Sequence, residues 1–416
     1  MKLLRFFILV AVAGCLALAG ALAADNSGRI YARITTVEGD QFEGLLRWDK
    51  NEGSWVDILN GSKDLEREDE RERRYGDRRD SRRETKYKLF GITISGDDDN
   101  IYWSTTAQSG IRFGHIKSMQ IIDDDRVRLL LKSGREVEMF NGSTDIGTSI
   151  REIIIEDVRE GEVEFSWEDI DRIDLMEAKT NEPSRFGKRL YGTVTTRRGD
   201  DYTGYLCWDV DELFTRDVID GEERGRNRKI PFEKIDVIER YSSKGAIIRF
   251  GDGEEVVLRG TNDVNDDNRG IIVCDPAFGQ VVIPWDEFDH VKFTDAPRQV
   301  PYSAFDGGRP LSGTVYTEDG QQYTGTILWD DDEAYTWELL DGEFRGLEFD
   351  LEFGLIKEIV KKSYRAAIVT VSDGREFELR GSNDVDEDNK GIFVYQTDGD
   401  EIAIDWEDFE RVEFSR

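Results

Sequence analysis

Three copies of one short segment carry the side chains best suited to hold a ligand: Trp48, Asp49 and Glu52; Trp208, Asp209 and Glu212; Trp329, Asp330 and Glu333. An exposed tryptophan face beside two carboxylates would receive a cationic side chain or a sugar. The competing expectation is burial. Six of the nine tryptophans, these three with Trp167, Trp285 and Trp406, stand at equivalent positions of a repeat, which is what a packed core demands. A second acidic pattern offers metal chemistry. Asp263, Asn265 and Asp267, and again Asp384, Asp386 and Asp388, alternate along a loop with the spacing by which oxygen ligands converge on calcium. Position twelve holds Cys274 or Tyr395 instead of a glutamate, and the first repeat reads Asp145-Ile146-Gly147-Thr148-Ser149. The alternative is therefore an acidic turn that caps its own backbone. Calcium is the single cofactor the pattern suggests.

Catalysis has little to stand on. The two histidines, His115 and His290, lie near no cysteine and lack metal-ligand spacing, and nothing reads as a nucleophile elbow or phosphate loop. Paired carboxylates are so frequent in this chain that they discriminate nothing. The expectation is a protein that is not an enzyme.

These motifs sit in a β framework that repeats. The stretch Gly381 to Phe414 recurs as Gly260 to Phe293 and, more loosely, as Asn141 to Leu175. A 121-residue step carries both Trp208 to Trp329 and Trp285 to Trp406, so the register between the second and third copies is rigid. Each copy also divides in two, because an aromatic residue followed at three-residue steps by apolar ones closes both halves: Phe232, Ile235, Ile238 and then Trp285, Phe288, Val291. Asp252-Gly253 and Asp373-Gly374 satisfy the positive φ angles of tight hairpins, and Val256, Leu258 and Phe377, Leu379 follow them in alternating runs. Interior Gly204 and Gly325 suggest a bend or bulge.

The half-repeat ending Gly279 to Val291, with Ile283-Pro284-Trp285, resembles the closing strand, 3₁₀ turn and last strand of SH3-like small barrels, and Ile230-Pro231-Phe232 repeats it. The opening segments, such as Gly199 to Asp209, are similar to Sm-like barrels. The resemblance implies an all-β fold of three tandem repeats, each a pair of about 50-residue SH3-like small barrels. It carries over no ligand, since neither a tyrosine-rich peptide-gripping loop nor basic RNA-contacting residues are present.

The expected organisation is a signal peptide at 1-23, repeat 1 at 25-176 with a charged insertion at about 62-103, repeat 2 at 189-294 and repeat 3 at 311-416. Lys2 and Arg5, an apolar run and Ala21-Leu22-Ala23 carry the signal reading. Val12-Ala13-Gly14-Cys15 offers lipid anchoring through Cys15 as the minor alternative. The protein is then secreted or periplasmic, with no transmembrane segment in the mature chain. Cys207 and Cys274 are read as small buried hydrophobes in preference to a disulfide. The insertion, rich in arginines such as Arg71, Arg78 and Arg82, is read as either a solvated helix with internal ion pairs or a disordered, flexible loop. The segment Asp295 to Pro310, rich in Pro and Gly, reads as a linker allowing motion between repeats two and three.

A net charge of -33 repels nucleic acid and anionic lipid. The function expected is a secreted, non-catalytic binding or scaffold protein with a protein partner in the cell envelope. A calcium-binding structural repeat protein is the alternative, and a carbohydrate-binding protein or glycan-active enzyme the third reading.

Overall fold

The computed structural model describes residues 24–64, 86–89, 92–95, 106–140 and 143–415. The signal-peptide and Cys15 readings, and most of the charged insertion, lie outside them. The described chain is all-β, its strands joined by turns and single 3₁₀ turns. Among the described residues no helix is long and apolar enough to cross a membrane.

Repeat 2 shows the strand plan without insertions. Two opening strands, Tyr191–Thr196 and Asp201–Cys207, are followed by five central ones, Val218–Glu223, Arg226–Pro231, Ile235–Ser242, Gly245–Phe250 and Glu255–Arg259. Three closing strands complete it: Ile271–Asp275, Gly279–Ile283 and Phe288–Phe293. Repeats 1 and 3 reproduce the plan, and repeat 1 adds a hairpin of Lys86–Leu89 with Ile92–Ser95. The hairpins expected at Asp252-Gly253 and Asp373-Gly374 form, with Gly253 at φ 86 and Gly374 at φ 93.

The halves of a repeat are nested and do not follow one another. The two opening strands pair with the three closing ones: Val194 faces Val291, and Leu206 faces Val273. The five central strands form the other set, joined to the first where Ile238 meets Val291. This corrects the expectation of successive halves. Among the described residues each sheet runs open from one edge strand to another, and none closes into a barrel. The local signals hold in part, since the aromatic that ends a half starts a 3₁₀ turn in four of the six, at Phe113, Trp167, Phe232 and Phe353, and a plain turn at Trp285 and Trp406.

Gly204 and Gly325, where a bend or bulge was expected, mark close approach of neighbouring strands, as does Gly44. A Cβ on Gly204 would lie 2.4 Å from the Cys274 carbonyl oxygen, and on Gly325 2.1 Å from that of Tyr395. Only glycine lets the strands come so near.

The cores cross repeat boundaries. One apolar cluster runs through repeats 2 and 3, and the other fills repeat 1 and takes in Tyr205, Cys207 and Cys274 from repeat 2. Both cysteines are free and buried, as the composition suggested. The linker is pinned, against the expectation of motion. Tyr302 packs on Trp55 at 4.4 Å and donates its hydroxyl to the Ile116 carbonyl at 2.7 Å, while Phe305 meets the His115 ring edge-on. Strand Gly279–Ile283 of repeat 2 also pairs antiparallel with Leu347–Glu352 of repeat 3, so one sheet spans the joint.

Candidate functional site

Each Trp-Asp-x-x-Glu segment ends an opening strand and reverses it. Two consecutive residues take positive φ, Asp49 and Lys50, Asp209 and Val210, Asp330 and Asp331, which lets the tryptophan and glutamate backbones pair with each other. The tryptophans go inward. Trp48, Trp208 and Trp329 are at most 1% exposed, and their indole N–H groups donate to the carbonyls of Asp145, Asp263 and Asp384 at 2.9 to 3.0 Å. Each also meets the second repeated tryptophan edge-on, Trp208 with Trp285 at 6.3 Å and Trp329 with Trp406 at 6.4 Å. Rings of this size are a large part of the core, and none of the three tryptophans leaves an exposed face beside these carboxylates.

The carboxylates are buried with them. Asp49, Asp209 and Asp330 are fully buried, and each accepts a backbone N–H from the basic residue that opens the next strand segment: Arg151, Arg269 and Lys390. Charge balance then differs between copies. In repeat 1 the Arg151 guanidinium reaches Asp49 at 3.0 Å, and neutral Asn51 replaces the acid at the fourth position. In repeat 2 Arg269 spans Asp209 at 3.0 Å and Asp211 at 2.9 Å, and Arg151 adds a contact to Asp211 at 3.1 Å. In repeat 3 the counterpart is Lys390, whose Nζ lies 3.4 Å from Asp330.

Repeat 3 consequently gathers carboxylate oxygen. One oxygen from each of Asp330, Asp332 and Glu333 lies within 4.8 Å of the others. Oδ1 of Asp332 and Oε2 of Glu333 are buried without a hydrogen-bond partner among the described residues, and Glu333 is 6% exposed. Burial and the neighbouring acids push Glu333 well above the ordinary carboxylate range, and burial raises Asp330 also. Three carboxylates are part of the oxygen shell a hard cation takes, with backbone carbonyls or water for the remainder. Glu52 and Glu212 share the orphaned Oε2 and the upward shift, Glu212 to about 10, chiefly through burial, but no equivalent cluster surrounds them among the described residues.

The alternating loops are divided by burial. Asp263 and Asp384 turn inward, each accepting the backbone N–H of the neighbouring strand, Asp220 at 2.7 Å and Asp341 at 2.8 Å. Asp267 donates its backbone N–H to the Asn265 side chain, and Asp388 likewise to Asp386, in the self-capping turn that was the alternative reading. Asp263 and Asp384 are buried while Asp267 and Asp388 are exposed, so the two kinds of position are not brought together around one point.

A third set went unassigned although its residues recur. Asp57, Asp217 and Glu338 each use one oxygen to accept two backbone N–H groups of their own loop and the other to receive a cation from another repeat. Arg189 meets Asp57 at 2.7 Å, Arg47 meets Asp217 at 2.8 Å, and Lys63 meets Glu338 at 2.5 Å. The available signal was an acid at fixed register before an apolar pair. The three cations stand at positions of the repeat that are not equivalent to one another, so sequence alone could not pair them.

A cleft of about 230 Å³ lies where the repeats meet, lined in part by Arg112, His115 and Glu352. Its buried polar groups face one another. Arg112 donates to the Asp275 carbonyl and lies 3.3 Å from Glu352, and Nδ1 of His115 accepts the Gly307 N–H. Burial alone would raise Glu352, but Arg112 and His115 hold it below its ordinary value. Comparison with known proteins returns no relative: no family model, no curated protein and no solved structure matches the chain.

Proposed function

We propose that the protein acts by binding, as a secreted or periplasmic non-catalytic scaffold whose partner is a protein of the cell envelope. The observation that carries this reading is the bracing of the three repeats by Asp57 with Arg189, Asp217 with Arg47 and Glu338 with Lys63. Such braces hold three surfaces at fixed positions, which serves recognition of a large partner. Each repeat is read as two small-barrel halves of the SH3-like or Sm-like kind, five strands apiece, wound into one another. The charge of -33 selects a partner with a basic face. Cross-linking in the cells of origin should recover one predominant protein adduct, whose purified form binds with an affinity that falls as salt rises. Recovery of the chain alone at every cross-linker dose would overturn the proposal.

A second reading, a calcium-stabilised structural role, is favoured by the approach of Asp330, Asp332 and Glu333. The ion site is then this cluster, with Asp386 and Asp388 outside it. Calcium at a hundredfold excess over its dissociation constant would stabilise the fold by about 2.7 kcal/mol relative to EDTA. The Asp330→Asn, Asp332→Asn, Glu333→Gln variant should lose that gain and Asp386→Asn with Asp388→Asn should keep it. Superimposable melts with and without calcium would remove this reading.

A further inference from the structure

The cleft where the repeats meet is built from residues that depart from the repeat pattern. The residue before the central 3₁₀ turn is Arg112, Pro231 or Glu352 in the three copies, and the residue that ends the turn is His115, Lys234 or Leu355. A repeated core has no need of unlike side chains at one register. Here the unlike ones converge: Nε of Arg112 lies 3.3 Å from Glu352, and Nε2 of His115 lies 3.5 Å from it. All three side chains are at most 8% exposed. Nε of Arg112, Nε2 of His115 and Oε2 of Glu352 nevertheless have no hydrogen-bond partner among the described residues. Buried polar groups are nearly always paired, so three exceptions in one cleft call for a reason.

The hydrogen-bonding roles of the three are fixed. Nδ1 of His115 accepts the Gly307 N–H at 3.1 Å, which leaves the ring hydrogen on Nε2. The guanidinium of Arg112 donates only. Glu352, although buried, is held below its ordinary value by Arg112 and His115, and so it only accepts. The set therefore asks for one hydrogen and two lone pairs, which is what a hydroxyl carries. Val300, Phe305 and Leu355 make the wall apolar, and exposed Asp306 and Arg309 add a carboxylate and a guanidinium at the rim. Two cations and two anions balance, which favours a neutral ligand over an ion of either sign. At about 230 Å³ the cleft is smaller than the roughly 300 Å³ at which sites for drug-sized ligands begin, so it takes one ring and not a chain.

We propose that this cleft binds a single sugar ring, one hydroxyl of which gives its hydrogen to Glu352 and accepts from Arg112 and His115. Neighbouring hydroxyls reach Asp306 and Arg309 at the rim, where a carboxylate accepts and a guanidinium donates in pairs. The apolar wall takes the C–H face of the ring. The Trp-Asp-x-x-Glu loops are unsuited to this part, because their tryptophans are buried. The site does not rest on the protein-partner reading, and its failure would leave that reading as it stands.

Ligand-detected NMR and isothermal titration of the full chain test it with glucose, galactose, mannose and N-acetylglucosamine, each as the free sugar and as its methyl glycoside. At least one should bind. A free sugar that binds without its glycoside marks a soluble sugar as the source, and binding of both marks the end of a glycan. Ala304→Trp fills the mouth from an exposed position and removes no polar group, so it should abolish binding. Glu352→Gln keeps the shape and should weaken binding about tenfold. Asp306→Ala with Arg309→Ala, both at exposed positions, should weaken it by less. Where Glu352→Gln lowers the melting temperature, the variants at exposed positions decide alone. Absence of binding by every sugar, binding that survives Ala304→Trp, or tighter binding of free lysine or glutamate than of any sugar would each overturn the proposal.

Discussion

The Trp-Asp-x-x-Glu loops of the second and third repeats share their backbone, their buried tryptophan and their first hydrogen bonds, yet they balance charge by different means. Arg269 serves Asp209 and Asp211 at once, because a planar guanidinium has donors enough for two carboxylates. Lys390 brings a single ammonium, a point charge 3.4 Å from Asp330, to a loop that holds three carboxylates close together. The fold accepts both solutions. Lys63 adds a second ammonium there, its Nζ 2.6 Å from the Asp332 carbonyl and its charge acting on Glu333, and what shortfall remains in the third loop is met by protons or by a bound cation, whereas the second loop needs less of either.

Deleting the cation should separate the two loops most. Arg269→Met leaves two acids, one fully buried, without their shared partner and should cost about 3 kcal/mol, whereas Lys390→Met should cost less than about 1 kcal/mol. Urea unfolding midpoints measure both, and equal losses would break the comparison.

Acidity gives the next effect. A carboxyl whose folded pKa is raised stays protonated in the native state where the unfolded chain has already ionised. Its stabilising contribution is complete below the unfolded value near 4 and is lost as pH rises through the folded value. Glu212 is raised to about 10 and Asp263 to about 6, chiefly by burial, and Glu333 and Asp330 are raised as well. Melting temperature in EDTA should therefore fall between about pH 5 and pH 8. Asp330→Asn should flatten that fall more than Asp209→Asn, since Asp209 has an arginine. A melt that rises across the same interval would contradict the assignment of protons to these acids.

The smallest change sharpens the comparison. Lys390→Arg makes the third loop resemble the second and should add up to about 1 kcal/mol in EDTA. The same variant should shrink any calcium-dependent gain, and isothermal titration with calcium would read the difference.

Strand content, repeat register and burial of the six tryptophans were legible because they depend on residues near in sequence. Asp252-Gly253 makes its hairpin with whatever strands flank it. Pairing partners were not legible. Ile235, Ile238 and Val291 look alike as edges of a half-repeat, and nothing local says that Ile238 will face Val291 rather than open a separate barrel. The carboxylates were visible as types, but their roles depend on cations from elsewhere in the chain. Asp57 reads as a turn residue until Arg189, 132 positions on, meets it in a site where both side chains are 2% exposed.

The nested pairing also imposes an order in time. In repeat 1, Ala32 of the first strand faces Leu175 of the last, with the whole central set between them in the chain. The central strands pair with near neighbours and can assemble as they are made. The opening strands must wait for the closing ones, and contacts of such long separation are slow to form. During synthesis each repeat therefore passes through a stage in which its middle is folded while Tyr31–Thr36 and Gln41–Trp48, or their counterparts, still await their partners. A ribosome stalled just before Ile170–Leu175 would hold the first repeat at that stage.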